Sequence, residues 1–356
     1  MRECRNCGRE LAVRAEALPF CNDCLRESTG NVEAAVRCAH QRVRAPFGLP
    51  ATPPRSTGGV VCKFCAHECA LAEGESGFCG LRGNRGGRLH HFAGTARAGI
   101  LHYYFDPLPT NCVADWVCAG SHRRGSYNLA VFYGGCSFDC LNCQNWHHRE
   151  LVGARHPLVS AAELAAAADE QTFCVCFFGG DPSCQMPHAL ATARRLAGRG
   201  LRICWETNGN MNPQFLRSAV KLSLASGGTI KFDLKAYSPG IHRALTGADN
   251  ARTLSNFAAA CELAQGAPAG RQPPVIASTL LIPGYIDTRE IGAIAGFIAG
   301  ISPAIPYALL AFHPQFALSD LPATSRGHAL AAQQAARAAG LSNVRVGNLH
   351  LLGAAY

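Results

Sequence analysis

From residue 126 onward, short apolar runs alternate with longer segments of helical periodicity, and this alternation constrains the fold more than any other feature of the chain. It predicts strands at residues 128–133, 174–178, 202–206, 229–235, 275–281 and 307–312, with helices between and after them. Ser160 and Glu163 form a capping box that opens the first helix, Pro213 starts the third, and residues 324–339 make the last. Six strand–helix units in succession require a parallel sheet with right-handed crossovers, so the fold class is α/β, either an open doubly wound sheet or a partial barrel. Residues 291–312 approach the apolarity of a membrane span. Ser302, Pro303 and Pro306 interrupt them after about eleven residues, short of the ~20 that a bilayer requires, so they read as a buried helix and a buried strand.

A chain of 356 residues suits a catalytic core with a smaller appended module. Charged residues make up only 16%, which argues against a largely disordered protein. The net charge of +9 comes from scattered Arg and Lys rather than a basic block, so nucleic acid is an unlikely partner. Nineteen Cys stand in CxxC-like groups behind a start, MRECRNCGRE, without the pattern of a secretory signal. A cytoplasmic location with reduced thiols is the expectation, and clustered reduced thiols bind metal more often than they form disulfides.

The first thiol group, Cys4, Cys7, Cys21 and Cys24, has the C-x2-C-x13-C-x2-C spacing of a four-thiolate zinc site. Residues 1–43 therefore read as a zinc-ribbon-like module, with Cys38 and His40 read as bystanders in preference to spare ligands. Residues 44–60, rich in Pro and Gly, read as a linker. The second group, Cys62, Cys65, Cys69 and Cys79, marks a Cys-rich segment over 61–125 that holds either a second zinc or an iron–sulfur cluster. Cys112 and Cys118 lie in the same segment, each as readily a buried apolar residue as a ligand. Residues 126–350 form the core.

After the first core strand, Gly134 and Gly135 open a loop that carries Cys136, Cys140 and Cys143. Three thiolates so close together can grip three irons of a 4Fe-4S cluster and leave the fourth open, and an open metal position marks catalysis rather than structure. The fourth strand puts Thr229, Lys231, Asp233 and Lys235 on one face and Ile230, Phe232 and Leu234 on the other. With helices outside, the charged face must look inward, where such groups are costly unless they bind something or pair with each other. That polar face favours the barrel over the open sheet. Only four Lys occur against 29 Arg, and two of the four lie here.

The loop's C-x3-C-x2-C pattern resembles that of the radical S-adenosylmethionine (SAM) enzymes, and further matches follow in strand order. Gly179, Gly180, Asp181 and Pro182 are similar to the segment whose backbone carbonyls receive the methionine amino group. Glu206, Thr207, Asn208 and Gly209 look like the turn near the SAM ribose and carboxylate. Residues 230–250 and 281–287 resemble pyruvate formate-lyase activating enzymes. That likeness implies that Glu206, Thr207 and Asp233 surround a monovalent cation beside the SAM carboxylate, with Lys235 toward the substrate. Residues 62–79, 143–146, 312–322 and 347–348 are closer still to the radical SAM component of the AmmeMemoRadiSam group.

The resemblance implies a partial (β/α)6 barrel, a 4Fe-4S cluster and SAM as cofactors, a flavodoxin or ferredoxin-type electron donor, and a protein, peptide or small-molecule substrate. Asn142 departs from it, because an aromatic residue usually stands there against the adenine; either SAM binding is weaker for it or Phe138 or Trp146 supplies the ring. His147, His148 and His313 read as surface or hydrogen-bonded histidines. A rival reading, a non-catalytic metal- or nucleic-acid-binding zinc-ribbon protein, leaves the motifs at successive strand ends unexplained.

Overall fold

The computed structural model describes residues 2–110, 112–265 and 272–356. Three short antiparallel hairpins come first: β1 (Arg2–Glu3) with β2 (Glu10–Leu11), β3 (Val60–Val61) with β4 (Ala70–Leu71), and β5 (Arg82–Arg85) with β6 (Arg88–His91). Helices α1 (Asn22–Glu27) and α2 (Gly30–Arg44) lie between the first two. The rest of the chain builds one nine-stranded sheet in the order β15-β14-β13-β12-β11-β10-β8-β7-β9.

The six expected strands are β8 (Tyr127–Tyr133), β10 (Thr172–Gly179), β11 (Arg202–Thr207), β12 (Ile230–Asp233), β13 (Val275–Leu281) and β14 (Tyr307–Ala311), all mutually parallel. A seventh, β15 (Val344–Gly347), extends the parallel run beside β14. On the other side, β7 (Gly99–Pro107) pairs antiparallel with β8 and carries the short β9 (Leu158–Val159) on its outer edge. The sheet is thus open at β9 and β15. The β12 ladder is shorter than expected, though Leu234 N–H still reaches the Ser278 carbonyl at 2.9 Å.

Alternation along these strands separates two environments. Val131, Tyr133, Val175, Phe177, Ile203, Trp205, Ile230 and Phe232 belong to the main apolar core, with Phe177 stacked on Trp205 at 4.6 Å. Phe178, Glu206, Asp233, Ser278, Leu280 and Leu310 instead line a cavity at the strands' C-terminal ends. The crossover helices start where their caps dictate. Ser160 and Glu163 form the reciprocal capping box of α4 (Ala161–Ala167), and Asn212 caps α6 (Pro213–Ser226) with Pro213 at its first position. Asp287 caps α9 (Thr288–Ile301), which with β14 forms the expected buried helix and strand. Among the described residues, no helix is long and apolar enough to cross a membrane.

The N-terminal residues share the core of the sheet. Val13, Leu18, Phe20, Leu25 and Val32 fall in the same apolar cluster as Ile241 and Tyr285. The Tyr285 hydroxyl donates to the Leu18 carbonyl at 2.6 Å, and Arg26 pairs with Asp287 at 3.0 Å and Glu290 at 3.2 Å. Gly240 permits this contact, since a Cβ there would stand 2.0 Å from the Leu25 carbonyl oxygen. Between the two thiol groups, Arg44 is buried with Nε donating to the Pro50 carbonyl at 2.6 Å and Nη2 to the Phe78 carbonyl at 2.5 Å.

Candidate active site

The loop after β8 and the helix that follows it, α3 (His148–Ala154), close one side of a cavity of about 160 Å³. Cys136, Cys140 and Cys143 line that side, and Gly179, Gly180, Glu206, Thr207, Asn208, Asp233 and Lys235 line the other. Gly180 crosses so close to the loop that a Cβ would lie 2.1 Å from the Gly135 carbonyl oxygen, so no side chain fits there. Burial pushes the Cys136 thiol well up and Cys140 up to about 12, the latter against the opposing pull of the Lys235 ammonium. The charges of Arg149 and Lys235 face this set. Three sulfurs, a void beside them and two nearby cations suit an anionic thiolate-bound cluster.

Asp139, inside the same loop, is fully buried. Its carboxylate meets His40 Nδ1 at 2.8 Å, Arg149 Nη2 at 2.8 Å and Arg44 Nη1 at 3.3 Å. Burial alone would raise its pKa, yet His40 and the two guanidiniums outweigh burial and hold it below the ordinary range. His40 is therefore no bystander: it joins α2 to the loop. The sequence offered no sign of this role for His40, and Arg149 was not marked at all.

Asp181 is the second buried carboxylate. It accepts from Ser183 N–H at 2.7 Å, Thr207 Oγ1 at 3.0 Å and Asn208 N–H at 2.6 Å, tying the turn after β10 to the turn after β11. Burial still raises its pKa above the usual carboxylate value. Asn208 Nδ2 reaches Ser137 Oγ at 3.0 Å and Cys136 Sγ at 3.6 Å, so this turn also touches the thiol loop.

Across the cavity the charged face of β12 is paired. Lys235 Nζ lies 2.7 Å from Asp233 Oδ2, and Ser278 Oγ donates to Asp233 Oδ1 at 2.7 Å. Lys231, buried deeper, stands 3.4 Å from Glu206 Oε2 and 3.0 Å from the sulfurs of Cys112 and Cys176. Burial pushes its ammonium down, but those groups together raise it well above its usual value. Cys112 thus has a polar partner. It also lines an adjoining cavity of about 500 Å³ that shares Gln144, Glu206 and Leu310 with the first and adds Asp115, Trp116, Arg345 and His350.

Phe138 and Asn142 line the first cavity, whereas Trp146 stacks on Phe316 and His147 away from it. His147 and His313 are exposed as expected. His148 is not at the surface: it is buried against the cavity, and its Nδ1 has no hydrogen-bond partner.

The sulfurs of Cys4, Cys7, Cys21 and Cys24 all lie within 4.8 Å of one another, close enough for one metal ion. Cys21 N–H donates to Cys4 Sγ at 3.3 Å, and Asn6 Nδ2 donates to Cys24 Sγ at 3.3 Å. Cys62, Cys65, Cys69 and Cys79 surround a separate small space that Cys184 also reaches.

Residues 130–290 match the Radical SAM superfamily. The chain is 35% identical over 137 residues to the isethionate sulfite-lyase activating enzyme of Desulfovibrio desulfuricans, which covers 38% of this chain and 40% of that protein. It is 32% identical over 87 residues to an uncharacterized protein of Methanocaldococcus jannaschii, covering 24% of this chain and 23% of that one. The chain thus spans less than half the length of either relative. A solved domain of pyruvate-formate lyase-activating enzyme from Bacteroides vulgatus aligns with a TM-score of 0.40 at 20% identity, over 49% of this chain and 99% of that one. The matched stretch contains the three-thiol loop, both glycine-bearing turns and β12, so it is residues 130–290 that are similar to the Radical SAM superfamily.

Proposed function

We propose that this protein cleaves SAM reductively at a 4Fe-4S cluster held by Cys136, Cys140 and Cys143, and uses the product radical on a protein or peptide substrate. The observation that carries the reading is the shared cavity, with three thiols on one wall, glycine-walled main chain on the next and an acid–ammonium pair opposite. A bound cluster would supply one electron to SAM and so generate a 5′-deoxyadenosyl radical that abstracts hydrogen. The chain's share is orientation and exclusion of water. In this reading the main chain of Gly179, Gly180, Asp181 and Pro182 receives the SAM amino group. Glu206, Thr207, Asn208 and Asp233 hold its ribose and carboxylate with a monovalent cation, and Phe138 flanks the adenine.

The likeness to an isethionate sulfite-lyase activating enzyme, which by name acts on a lyase, supports the protein substrate, and the adjoining cavity offers it an entrance. The electron donor is a flavodoxin or ferredoxin. Anaerobically reconstituted protein given a one-electron reductant should convert SAM to 5′-deoxyadenosine and methionine. A filled cluster that leaves SAM intact would overturn the reading.

Asp233 and Lys235 should separate in the same assay. Asp233→Ala is expected to weaken SAM binding and cleavage with or without substrate. Lys235 stands nearer the strand's open end, so Lys235→Ala should keep slow substrate-free cleavage while transfer of hydrogen from substrate into 5′-deoxyadenosine falls. Equal losses in the two variants would mean that the 2.7 Å pair serves structure alone.

Cys4, Cys7, Cys21 and Cys24 hold one zinc in this reading. Because this module shares the main core, stripping the metal should lower the melting temperature of the whole chain by several degrees rather than release a separate unit. An unchanged melting curve after a chelator has removed the zinc would contradict the assignment.

A further inference from the structure

The second thiol group carries more than a structural ion needs. Cys62, Cys65, Cys69, Cys79 and Cys184 face one space. Sulfur spacing is the first observation. Four thiolates on one zinc stand about 3.8 Å apart, given a Zn–S length of about 2.3 Å. Among the described residues, the N-terminal four are the thiols that gather in this way, within 4.8 Å of one another. Among the described residues, neither the second group nor Cys136, Cys140 and Cys143 gathers within that distance. A wider setting suits a cluster in which each thiolate binds a different iron.

Charge is the second observation. Arg82 lines the space with 1% of its surface exposed, and its guanidinium donates to the carbonyls of Leu81, Ala93 and Cys184 at 2.9, 2.7 and 2.8 Å. Its Nε is buried with no hydrogen-bond partner. A buried cation in a space lined by five thiols favours an anionic, sulfide-bearing centre.

Position is the third. His67, between Cys65 and Cys69, donates from Nε2 to the Ser137 carbonyl at 2.5 Å, and Ser137 adjoins Cys136. Ala66 N–H also donates to the Asn210 carbonyl at 2.9 Å, and Cys65 bridges to Met211. The second group is thus joined to the Cys136 loop by one hydrogen bond across a buried contact.

We infer that Cys62, Cys65, Cys69 and Cys79 hold a second, redox-active iron–sulfur cluster coupled to the Cys136 loop through His67 and Ser137, with the Cys184 thiol beside it. This assignment goes beyond SAM cleavage and does not depend on it. A flavodoxin- or ferredoxin-class donor loses one electron, one ferric iron of the second cluster becomes ferrous, and no bond breaks. Passing that electron toward the Cys136 loop restores the ferric iron.

The test uses the full chain, reconstituted anaerobically with iron and sulfide. The Cys136→Ala/Cys140→Ala/Cys143→Ala variant should retain about four iron and about four sulfide per chain, against about eight of each in the wild type. Reduced with dithionite, it should give an electron paramagnetic resonance signal of its own. Should that variant not fold, the complementary Cys62→Ala/Cys69→Ala variant should fall from about eight iron to about four and keep the other signal. Two zinc per chain without sulfide outside the Cys136 loop would overturn the assignment. In fully reduced wild type the two signals should broaden each other, and a spectrum equal to the sum of the single-cluster variants would overturn the coupling. Cys184→Ala should shift the second cluster's potential without loss of iron, whereas an unmoved potential removes Cys184 from the site. Wild type that fails to cleave SAM would leave these counts and spectra unchanged, so the two readings fail separately.

Discussion

Replacing Cys136, Cys140 and Cys143 together by Ala is expected to reduce SAM cleavage to background and remove about four irons from the reconstituted chain. The three thiols are the ligands that one wall of the cavity offers, and each would anchor a different iron. Burial keeps Cys136 and Cys140 protonated until a metal takes the proton's place, so a partly stripped loop has no stable thiolate to retain a cluster. The effect should therefore be all or none rather than graded. Melting temperature and circular dichroism separate this loss from unfolding, because Ala fills a similar buried space. Surviving 5′-deoxyadenosine formation in the triple variant would defeat the proposed mechanism.

Asp139→Asn should be the most destabilising single change near the site, at about 3–5 kcal/mol in guanidinium titration, the cost of leaving buried cations without their partner. Arg44 and Arg149 would both lose the carboxylate that faces them, and His40 would lose its anchor to the loop. The effect has a pH signature. Because the folded carboxyl sits below its ordinary value, its stabilisation is complete above the unfolded pKa of about 3.9 and disappears as pH falls through the lower folded value. The gap between wild type and variant should be widest near neutral pH and close in acid. A constant gap across that range would mean that the charge of Asp139 is not what matters.

Local pattern made much of this protein readable. Alternation in residues 229–235, the capping box at Ser160 and the proline at 213 each dictate structure within a few residues, and the strands and helices formed where those signals stood. The thiol loop was readable because metal ligands must be close in sequence to share a knuckle. Strand β7 was not, since its Tyr103, Tyr104 and Phe105 put aromatic residues on both faces and blur the period of two. The His40–Asp139 contact spans 99 residues, and Cys184 and Cys79 line one space only because the turn after β10 folds back over the second hairpin region. Nothing local distinguishes such residues from ordinary polar or apolar positions.

The Asp181 carboxylate, closed on Ser183, Thr207 and Asn208, has a consequence for how a ligand is met. Two turns that would otherwise sample many conformations are joined into one rigid lip, and the entropy of ordering them is lost when the chain folds rather than when the ligand arrives. Recognition here then resembles a key entering a cut lock. Affinity becomes a property of the ligand's own shape and charge, and a near relative that misfits by one group finds no compliant wall to accommodate it.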